Sequence, residues 1–385
     1  MLTVRLCHVF DAWMFRQVLD VFRNSYLYFH HDVAGSTLGM ENPNSSQVTM
    51  NQSDVASIFT KQVLPPLYII IFVVGICLNV VAAWIFFRVP ADSGLVVYLK
   101  NMVVADLLML FSFPFRVAAY WGIGSRYIEV IICRYTAVLF YFSMYVGILF
   151  IGFISLERYV KIVCLAPSSS TIPSSRSRCS VVFVLQLIQS GTFARVLAVV
   201  SWGLLFLCCA PNTILTSNLA DEQNYRNCMM LKTALGREWH QVSSHVSVSL
   251  FWVTLVMVTF SYTSIARQVC KTYRRMRRDT SDICRKSNRS IFSILVVFFI
   301  CFVPYHVCRV PFTLSQMTTS GFSEGAKFWL FQIKEGTLFL SAMNVCLDPV
   351  IYFLMCGTFR ESLLRKLSRR ERIRSLTTAQ SLSNI

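Results

Sequence analysis

The chain has 385 residues and a formal net charge of +17; 55% of its residues are hydrophobic and 14% are charged. A soluble domain carries roughly 25% charged residues, so the composition excludes an ordinary soluble fold and indicates a membrane protein. Such a net charge would favour nucleic acid in a soluble chain, but here the basic residues lie beside apolar stretches. We therefore expect them to contact membrane lipids, and we expect no nucleic-acid partner.

Residues 1–63 are predicted to form an extracellular N-terminal tail. The tail lacks the compact basic-then-apolar pattern of a cleaved signal peptide, so the first span should serve as its own insertion signal. Asn44 and Asn51 each begin an Asn-X-Ser sequence and are predicted glycosylation sites. The segment before Met40 is rich in Phe, Tyr and Val, which makes Met40 and Met50 alternative start positions.

Seven apolar stretches follow, each near the length of about 20 residues that crosses a bilayer. Nine basic and two acidic residues lie between Arg267 and Arg289, and seven basic and two acidic residues follow Cys356. Both segments are therefore expected in the cytoplasm, and seven crossings then place the N-terminus outside. The predicted fold class is an all-α membrane protein, a seven-transmembrane helix bundle (64–355) with a short amphipathic eighth helix. The predicted spans are 64–87, 97–120, 130–162, 193–215, 241–268, 289–316 and 328–355.

The segment 166–191 interrupts this pattern as an atypical insertion in the second cytoplasmic loop. Its first half is rich in Ser and Pro, and its apolar second half is too short to span. It is interpreted as a buried or interfacial piece, or as an extension of the fourth helix.

The last segment, 356–385, is predicted to be cytoplasmic. Between Phe359 and Leu367 the apolar side chains share one face, as in a helix that lies on the membrane surface. Cys356 is a candidate for palmitoylation. The tail beyond Ser368 contains Ser and Thr among basic residues, which is typical of a phosphorylated segment.

Most of the fourteen cysteines lie inside apolar runs and are expected to act as small hydrophobic residues. Only Cys133 and Cys228 lie at span ends on the predicted outer side. We predict a disulfide between them.

The stretch from Phe298 to Phe312 is apolar enough for a membrane but carries Pro304, His306 and Arg309. Pro304 removes a helical hydrogen bond and predicts a bend. A cation costs about 2.5–3.5 kcal/mol at the centre of a span, so we predict that His306 and Arg309 form a site that faces the interior of the bundle. The alternative is that Arg309 reaches lipid phosphates at the outer interface.

Other polar residues lie within the spans. Asp106, Asn344 and Asp348 could share a hydrated or sodium site, and a static polar cluster that joins helices is equally compatible with the sequence. Pro349 predicts a hinge in the seventh span. Glu157-Arg158-Tyr159 closes the third span at the cytoplasmic face, where an ordinary pair at a helix end is the alternative.

Taken together, these motifs resemble those of class A, rhodopsin-like G-protein-coupled receptors over roughly residues 60–370. The stretches LKNMVVADLLMLFSFPFR, FYFSMYVGILFIGFISLERYVKIV and FVPYHVCRVPFTLSQ are similar to the purinergic branch of ADP and UDP-glucose receptors. The residues that carry the class resemblance are Asn79, Asp106, Cys133, Glu157-Arg158-Tyr159, Trp202, Cys301-Phe302-Val303-Pro304 and Asp348-Pro349-Val350-Ile351-Tyr352.

The resemblance implies a plasma-membrane receptor for an extracellular phosphate-bearing, nucleotide-like ligand. Its implied partners are a heterotrimeric G protein, and arrestin and receptor kinases through the tail; no cofactor is implied beyond a possible allosteric sodium ion. The implied ligand site comprises Tyr141, Lys232, His240, His306, Arg309, Lys334 and Glu335. The implied coupling switch comprises Glu157, Arg158, Tyr159, Pro304, Asp348, Pro349 and Tyr352.

The sequence also departs from this branch and leaves other functions to be compared. Ser244 stands where nucleotide-binding relatives usually place an asparagine, which weakens the case for base recognition. A lysophospholipid is the alternative ligand, because the same cations would bind its head group. A transporter is disfavoured because the spans show no matching halves. Without a nucleophile-base pair or metal-ligand spacing, no catalytic residue, metal site or enzyme activity is predicted.

Overall fold

The computed structural model describes residues 59–90, 92–123, 126–165, 187, 189–217, 228–275, 281–317, 321–355 and 359–365. Seven helices in this part of the chain are long and apolar enough to cross a membrane, which confirms the predicted all-α seven-span fold. They are α1 (Phe59–Phe86), α2 (Gly94–Trp121), α3 (Ile132–Cys164), α4 (Gly191–Ile214), α5 (Ala234–Arg275), α6 (Ser281–Ser315) and α7 (Glu324–Ala342 and Asn344–Met355). The short helix Arg126–Ile131 leads into α3.

The helices pack as neighbours around α2 and α3. Helix α2 lies against α1, α3 and α4, while α3 also contacts α5. Helix α6 then packs between α5 and α7, and the second half of α7 returns to α1. Aromatic side chains fill this interior, and Phe113, Phe140 and Phe302 are almost completely buried.

The outer surface of the bundle is apolar. Val199, Leu207 and Val253 are 72%, 67% and 67% exposed, respectively. Such a surface would be costly in water but matches the hydrocarbon of a bilayer. The exposure pattern therefore agrees with a multi-pass membrane protein.

Polar caps set several helix ends. Ser93 and Ser190 accept hydrogen bonds from the backbone amides of Val96 and Phe193, at 3.5 and 3.1 Å, so each serves as an N-cap. Because the backbone of Ser190 is extended, α4 starts at Gly191 and is not simply lengthened by the preceding segment.

Helix α5 starts seven residues before the predicted position, at residue 234 instead of 241. The Thr233 hydroxyl accepts a hydrogen bond from the Gly236 amide at 3.0 Å, which caps the additional turns. These turns carry polar side chains, and a prediction based on apolar length therefore misses them. His240 consequently lies in the second turn of α5, whereas the sequence placed it at the opening of the helix.

Two residues that carry the class resemblance, Asn79 and Trp202, join neighbouring helices through side-chain hydrogen bonds. Asn79 donates hydrogen bonds to the carbonyl oxygens of Gly75 and Val345, at 3.0 and 2.7 Å, and so joins α1 to α7. Trp202 donates to the Asn101 side chain at 2.8 Å, joining α4 to α2.

The predicted disulfide between Cys133 and Cys228 is present, with the two Cα atoms 5.4 Å apart. It fastens the connection between α4 and α5 to the start of α3. Other predictions fall outside the described residues: the glycosylation sites Asn44 and Asn51, the palmitoylation site Cys356, nearly all of the insertion 166–191, and the tail beyond residue 365.

The eighth helix is observed over residues 359–365. Phe359 is 3% exposed and stacks on Phe86 of α1, with 5.1 Å between ring centroids. Arg360 and Arg365 on the same helix are exposed. The segment is therefore amphipathic, as predicted, and its apolar face packs on the end of the bundle.

Candidate ligand-binding site and signalling core

A cavity of about 1080 Å³ opens at the end of the bundle that carries the disulfide. Side chains from α2, α3, α5, α6 and α7 line it, together with the residues that follow Cys228. Six of the seven predicted ligand residues lie in its wall. These six are Tyr141, Lys232, His240, Arg309, Lys334 and Glu335.

Arg309 lies inside the bundle and is only 7% exposed. Its Nη2 donates a hydrogen bond to the Ser244 hydroxyl at 3.1 Å, and its guanidinium carbon lies 5.0 Å from the centroid of the Tyr141 ring. The side chain therefore points across the cavity from α6 toward α5 and α3. This geometry differs from the alternative in which Arg309 reaches out to lipid phosphates.

His306 is the one predicted ligand residue that the cavity wall does not include. Its Nδ1 donates to the Phe302 carbonyl oxygen at 2.7 Å, and its ring stacks on Phe251 with 3.7 Å between centroids. His306 precedes Arg309 by three residues on α6, which corresponds to a rise of about 4.5 Å along the helix and slightly less than one full turn. His306 therefore lies one level deeper than Arg309, in the α5–α6 contact.

Lys232 approaches the cavity from the connection between α4 and α5, outside the spans. Its Nζ donates to the backbone and side-chain oxygens of Asn212, both at 3.4 Å, and to the Thr216 hydroxyl at 3.1 Å. Burial, helped by the positive charge of Arg309, lowers the pKa of Lys232 to about 8. The ammonium group thus changes its charge just above neutral pH.

The opposite wall of the cavity contains an ionic cluster between α2 and α7. Arg116 Nη1 lies 3.1 Å from Glu335 Oε2, and the Tyr120 hydroxyl donates to the same oxygen. Lys334 pairs with the other carboxylate oxygen, Glu335 Oε1. Arg116 and Tyr120 were absent from the predicted site, although Arg116 is a cation inside a span and meets the same criterion that selected Arg309.

Two polar pairs lie deeper in the bundle, at the residues predicted to share a sodium site. Tyr352 donates to Asp106 Oδ2 at 2.8 Å, and Asn344 donates to Asp348 Oδ2 at 2.7 Å. All three predicted members, Asp106, Asn344 and Asp348, are at most 3% exposed. The first pair joins α2 to α7, the second lies within α7, and the sodium ion stays a prediction.

At the end of α3 that was predicted to face the cytoplasm, Arg158 Nε lies 3.8 Å from Glu157 Oε2. The Glu157 side chain is buried, and the Tyr159 ring lies 5.5 Å from that of Phe260 on α5. Pro304 and Pro349 both lie inside helices, and the hinges stay predictions.

Comparison with known proteins points to the same family as the motifs. Residues 78–352 match the family model described as 7 transmembrane receptor (rhodopsin family). The chain is 43% identical over 311 residues to purinoceptor 14 of Bos taurus, an alignment that covers 81% of this chain and 87% of that protein. It is 43% identical over 324 residues to G-protein coupled receptor 87 of Mus musculus, covering 84% and 85%. With purinoceptor 13 of Homo sapiens the identity is 34% over 322 residues, covering 84% of each chain.

Proposed function

Because the chain belongs to the rhodopsin family of seven-transmembrane receptors, in the group that includes these purinoceptors, we propose that it binds an extracellular phosphate-bearing, nucleotide-like ligand and activates heterotrimeric G proteins. The family consists of signalling receptors, so the chain is a receptor and not an enzyme. The proposed location is the plasma membrane, with the N-terminus outside.

The observation that carries the ligand proposal is the environment of Arg309. It is buried in the cavity wall, and among the described residues it forms no ion pair; its polar partner there is the neutral Ser244 hydroxyl. A buried guanidinium is costly without a negative partner, and its fork matches the oxygens of a phosphate group. Lys232 adds a second positive charge on the same side of the cavity.

The site also has the size and polarity that a nucleotide-like ligand needs. A volume of about 1080 Å³ lies near the upper end of the usual range for small-molecule sites, about 300–1,000 Å³. The Ser244 hydroxyl accepts a hydrogen bond from Arg309 and offers a base only its remaining donor and lone pair, so recognition of a base would also use other residues, such as Tyr141 on α3. Two of the similar relatives are named purinoceptors, which favours a nucleotide over a lysophospholipid.

Signal transmission follows from the position of Arg309 on α6, more than one turn beyond Pro304. A ligand that binds Arg309 would favour one orientation of the outer half of α6, and the bend at Pro304 would displace its inner half. This motion would separate α6 from α3 and expose Arg158 to a G-protein helix. Pro349 gives α7 a corresponding bend beside the polar pairs of Asp106 and Asp348.

The test is G-protein activation in cells exposed to a panel of nucleotides, nucleotide sugars and lysophospholipids. For the agonist found, Arg309→Ala should reduce potency by about 10- to 100-fold, since charge-assisted hydrogen bonds contribute about 1.5–3 kcal/mol. Surface expression should persist, because no buried carboxylate loses its partner. Lys327→Ala is the matched control: Lys327 also lines the cavity, but it pairs with the exposed Glu324.

An unchanged dose–response curve for Arg309→Ala would refute the proposed site. Activation by lysophospholipids and by no nucleotide would assign the alternative ligand class. Ligand-dependent substrate uptake into vesicles, without guanine-nucleotide exchange, would instead identify a transporter.

A further inference from the structure

The cavity has two cationic sides that differ in how their charges are balanced. On the α5–α6 side, Arg309 donates a hydrogen bond to the Ser244 hydroxyl and forms no ion pair among the described residues. On the α2–α7 side, Arg116 and Lys334 both contact the carboxylate of Glu335. An anion that enters the cavity therefore meets a buried carboxylate on the α2–α7 side.

Glu335 is fully engaged in this arrangement. One carboxylate oxygen accepts from Arg116 and Tyr120, and the other pairs with Lys334. The residue is 4% exposed and Lys334 is 7% exposed, so water screens these charges weakly. Lys334 is held further by the rings of Phe312 and Phe331, each with its centroid 4.9 Å from the ammonium nitrogen.

Glu335 lowers the charge of the cluster that it forms with Arg116 and Lys334 from +2 to +1. In such an environment its carboxylate also repels a phosphate that comes close to it. A ligand phosphate could bind Lys334 or Arg116 only by approaching the Glu335 carboxylate or by displacing it. A compact anion bound at Arg309 avoids this conflict, whereas a longer polyphosphate would extend toward the carboxylate.

We propose that Glu335 is a specificity-determining residue, an internal counter-anion that occupies Arg116 and Lys334 and restricts the cavity to ligands whose negative charge is small and concentrated at Arg309. The role rests on the proposed function, because it assumes that an anion binds at Arg309. In this role Glu335 makes ligand specificity depend on the number of negative charges of the ligand as well as on its base or sugar.

The test uses the full-length receptor, purified in lipid nanodiscs, and three probes of increasing charge: inorganic phosphate, pyrophosphate and tripolyphosphate. Their apparent affinities are read from the rise of the thermal unfolding midpoint with concentration, at constant ionic strength. In the unsubstituted receptor the three affinities should lie within about fivefold of one another. In Glu335→Gln the affinity for tripolyphosphate should exceed that for phosphate by about tenfold or more.

Two further variants separate this role from general effects of charge and packing. Glu324 also lines the cavity, but its side chain is 91% exposed and pairs with Lys327, so Glu324→Gln should change each affinity by less than about threefold. The double variant Arg116→Gln/Glu335→Gln removes one positive and one negative charge, so the net charge of the cavity is unchanged. The order of affinities for the three anions should therefore return to that of the unsubstituted receptor. Should Glu335→Gln fail to fold, comparing this double variant with Arg116→Gln alone tests the same charge: tripolyphosphate should again gain about tenfold.

The outcomes distinguish the two proposals. Equal changes for all three anions in Glu335→Gln, or a loss of binding for all three, would overturn the counter-anion role. Full retention of anion binding in Arg309→Gln would overturn the proposed ligand site and, with it, the counter-anion role. Loss of anion binding in Arg309→Gln together with an unchanged order of affinities in Glu335→Gln would overturn the counter-anion role alone. Absence of stabilisation by every anion, in the unsubstituted receptor and in Glu335→Gln alike, would overturn both.

Discussion

Lys232 should make ligand affinity depend on pH just above neutrality. Burial and the charge of Arg309 lower its pKa to about 8. Between pH 7 and pH 9 the charged fraction of such a lysine falls from about nine-tenths to about one-tenth. If the ammonium group contributes to phosphate binding, the affinity of the receptor for a phosphate-bearing agonist should fall by up to about ninefold over the same interval.

The same pKa has the opposite effect on stability. The folded receptor disfavours the charged lysine, whereas the unfolded chain keeps it protonated up to the usual pKa of lysine, about 10.4. The unfolded state therefore binds more protons between these two values, and the free energy of unfolding rises with pH. From pH 7 to pH 9 the gain is about 1 kcal/mol. Affinity and stability should thus change in opposite directions.

The assay pairs agonist binding with thermal unfolding of the purified receptor in nanodiscs at several pH values from 7 to 9. Lys232→Met should remove both dependences, while Lys232→Arg should keep the charge and give an affinity that stays constant up to pH 9. Lys327→Met, at the mouth of the same cavity, is the control for a general loss of positive charge. Equal pH profiles in the unsubstituted receptor and in Lys232→Met would refute the reasoning.

Two further substitutions test how the bundle supports the site. Gly236→Ala should lower the free energy of unfolding by about 1–3 kcal/mol, because the added Cβ would lie 2.6 Å from the Leu215 carbonyl oxygen. Gly203→Ala is the control, because a Cβ added at Gly203 would meet open space. Equal unfolding midpoints for the two variants would contradict the packing at Gly236. Phe359→Ala should cost about 3 kcal/mol of stability by removing the stack on Phe86, with Phe359→Leu costing less; a midpoint unchanged in both would show that the eighth helix does not support the bundle.

The fold could be predicted from the sequence because the bilayer imposes a minimum apolar length on every span. That rule marks where a helix lies in lipid, and it does not mark where the helix ends. Helices α5 and α6 extend beyond the predicted spans, starting at residues 234 and 281 instead of 241 and 289. Both extensions include charged residues that an apolar-length rule leaves out, and their helical structure depends on capping, as at Thr233, and on continuity with the span.

The site was predictable in part for a related reason. A cationic residue within an apolar span is visible in the sequence and costs free energy on membrane insertion. Arg309 was identified as a candidate ligand residue in this way. The position of His306 depends on which neighbours fill the space around it. The imidazole stacks on Phe251 of α5, and no spacing within α6 predicts a partner on another helix.

Arg116 shows why the sequence identifies charged residues that are energetically costly in a membrane span but does not show which of them contact a ligand. By cost alone, Arg116 and Arg309 are equivalent, since each is an arginine inside a span. The fold brings Glu335 to Arg116 from 219 positions along the chain, and this carboxylate balances its charge internally. Arg309 has only a hydroxyl and an aromatic face among the described residues, so the stabilising anion must come from outside that part of the chain. The contrast between Arg116, which has a carboxylate partner, and Arg309, which has none among those residues, is therefore the reason why we propose phosphate binding on the α5–α6 side of the cavity.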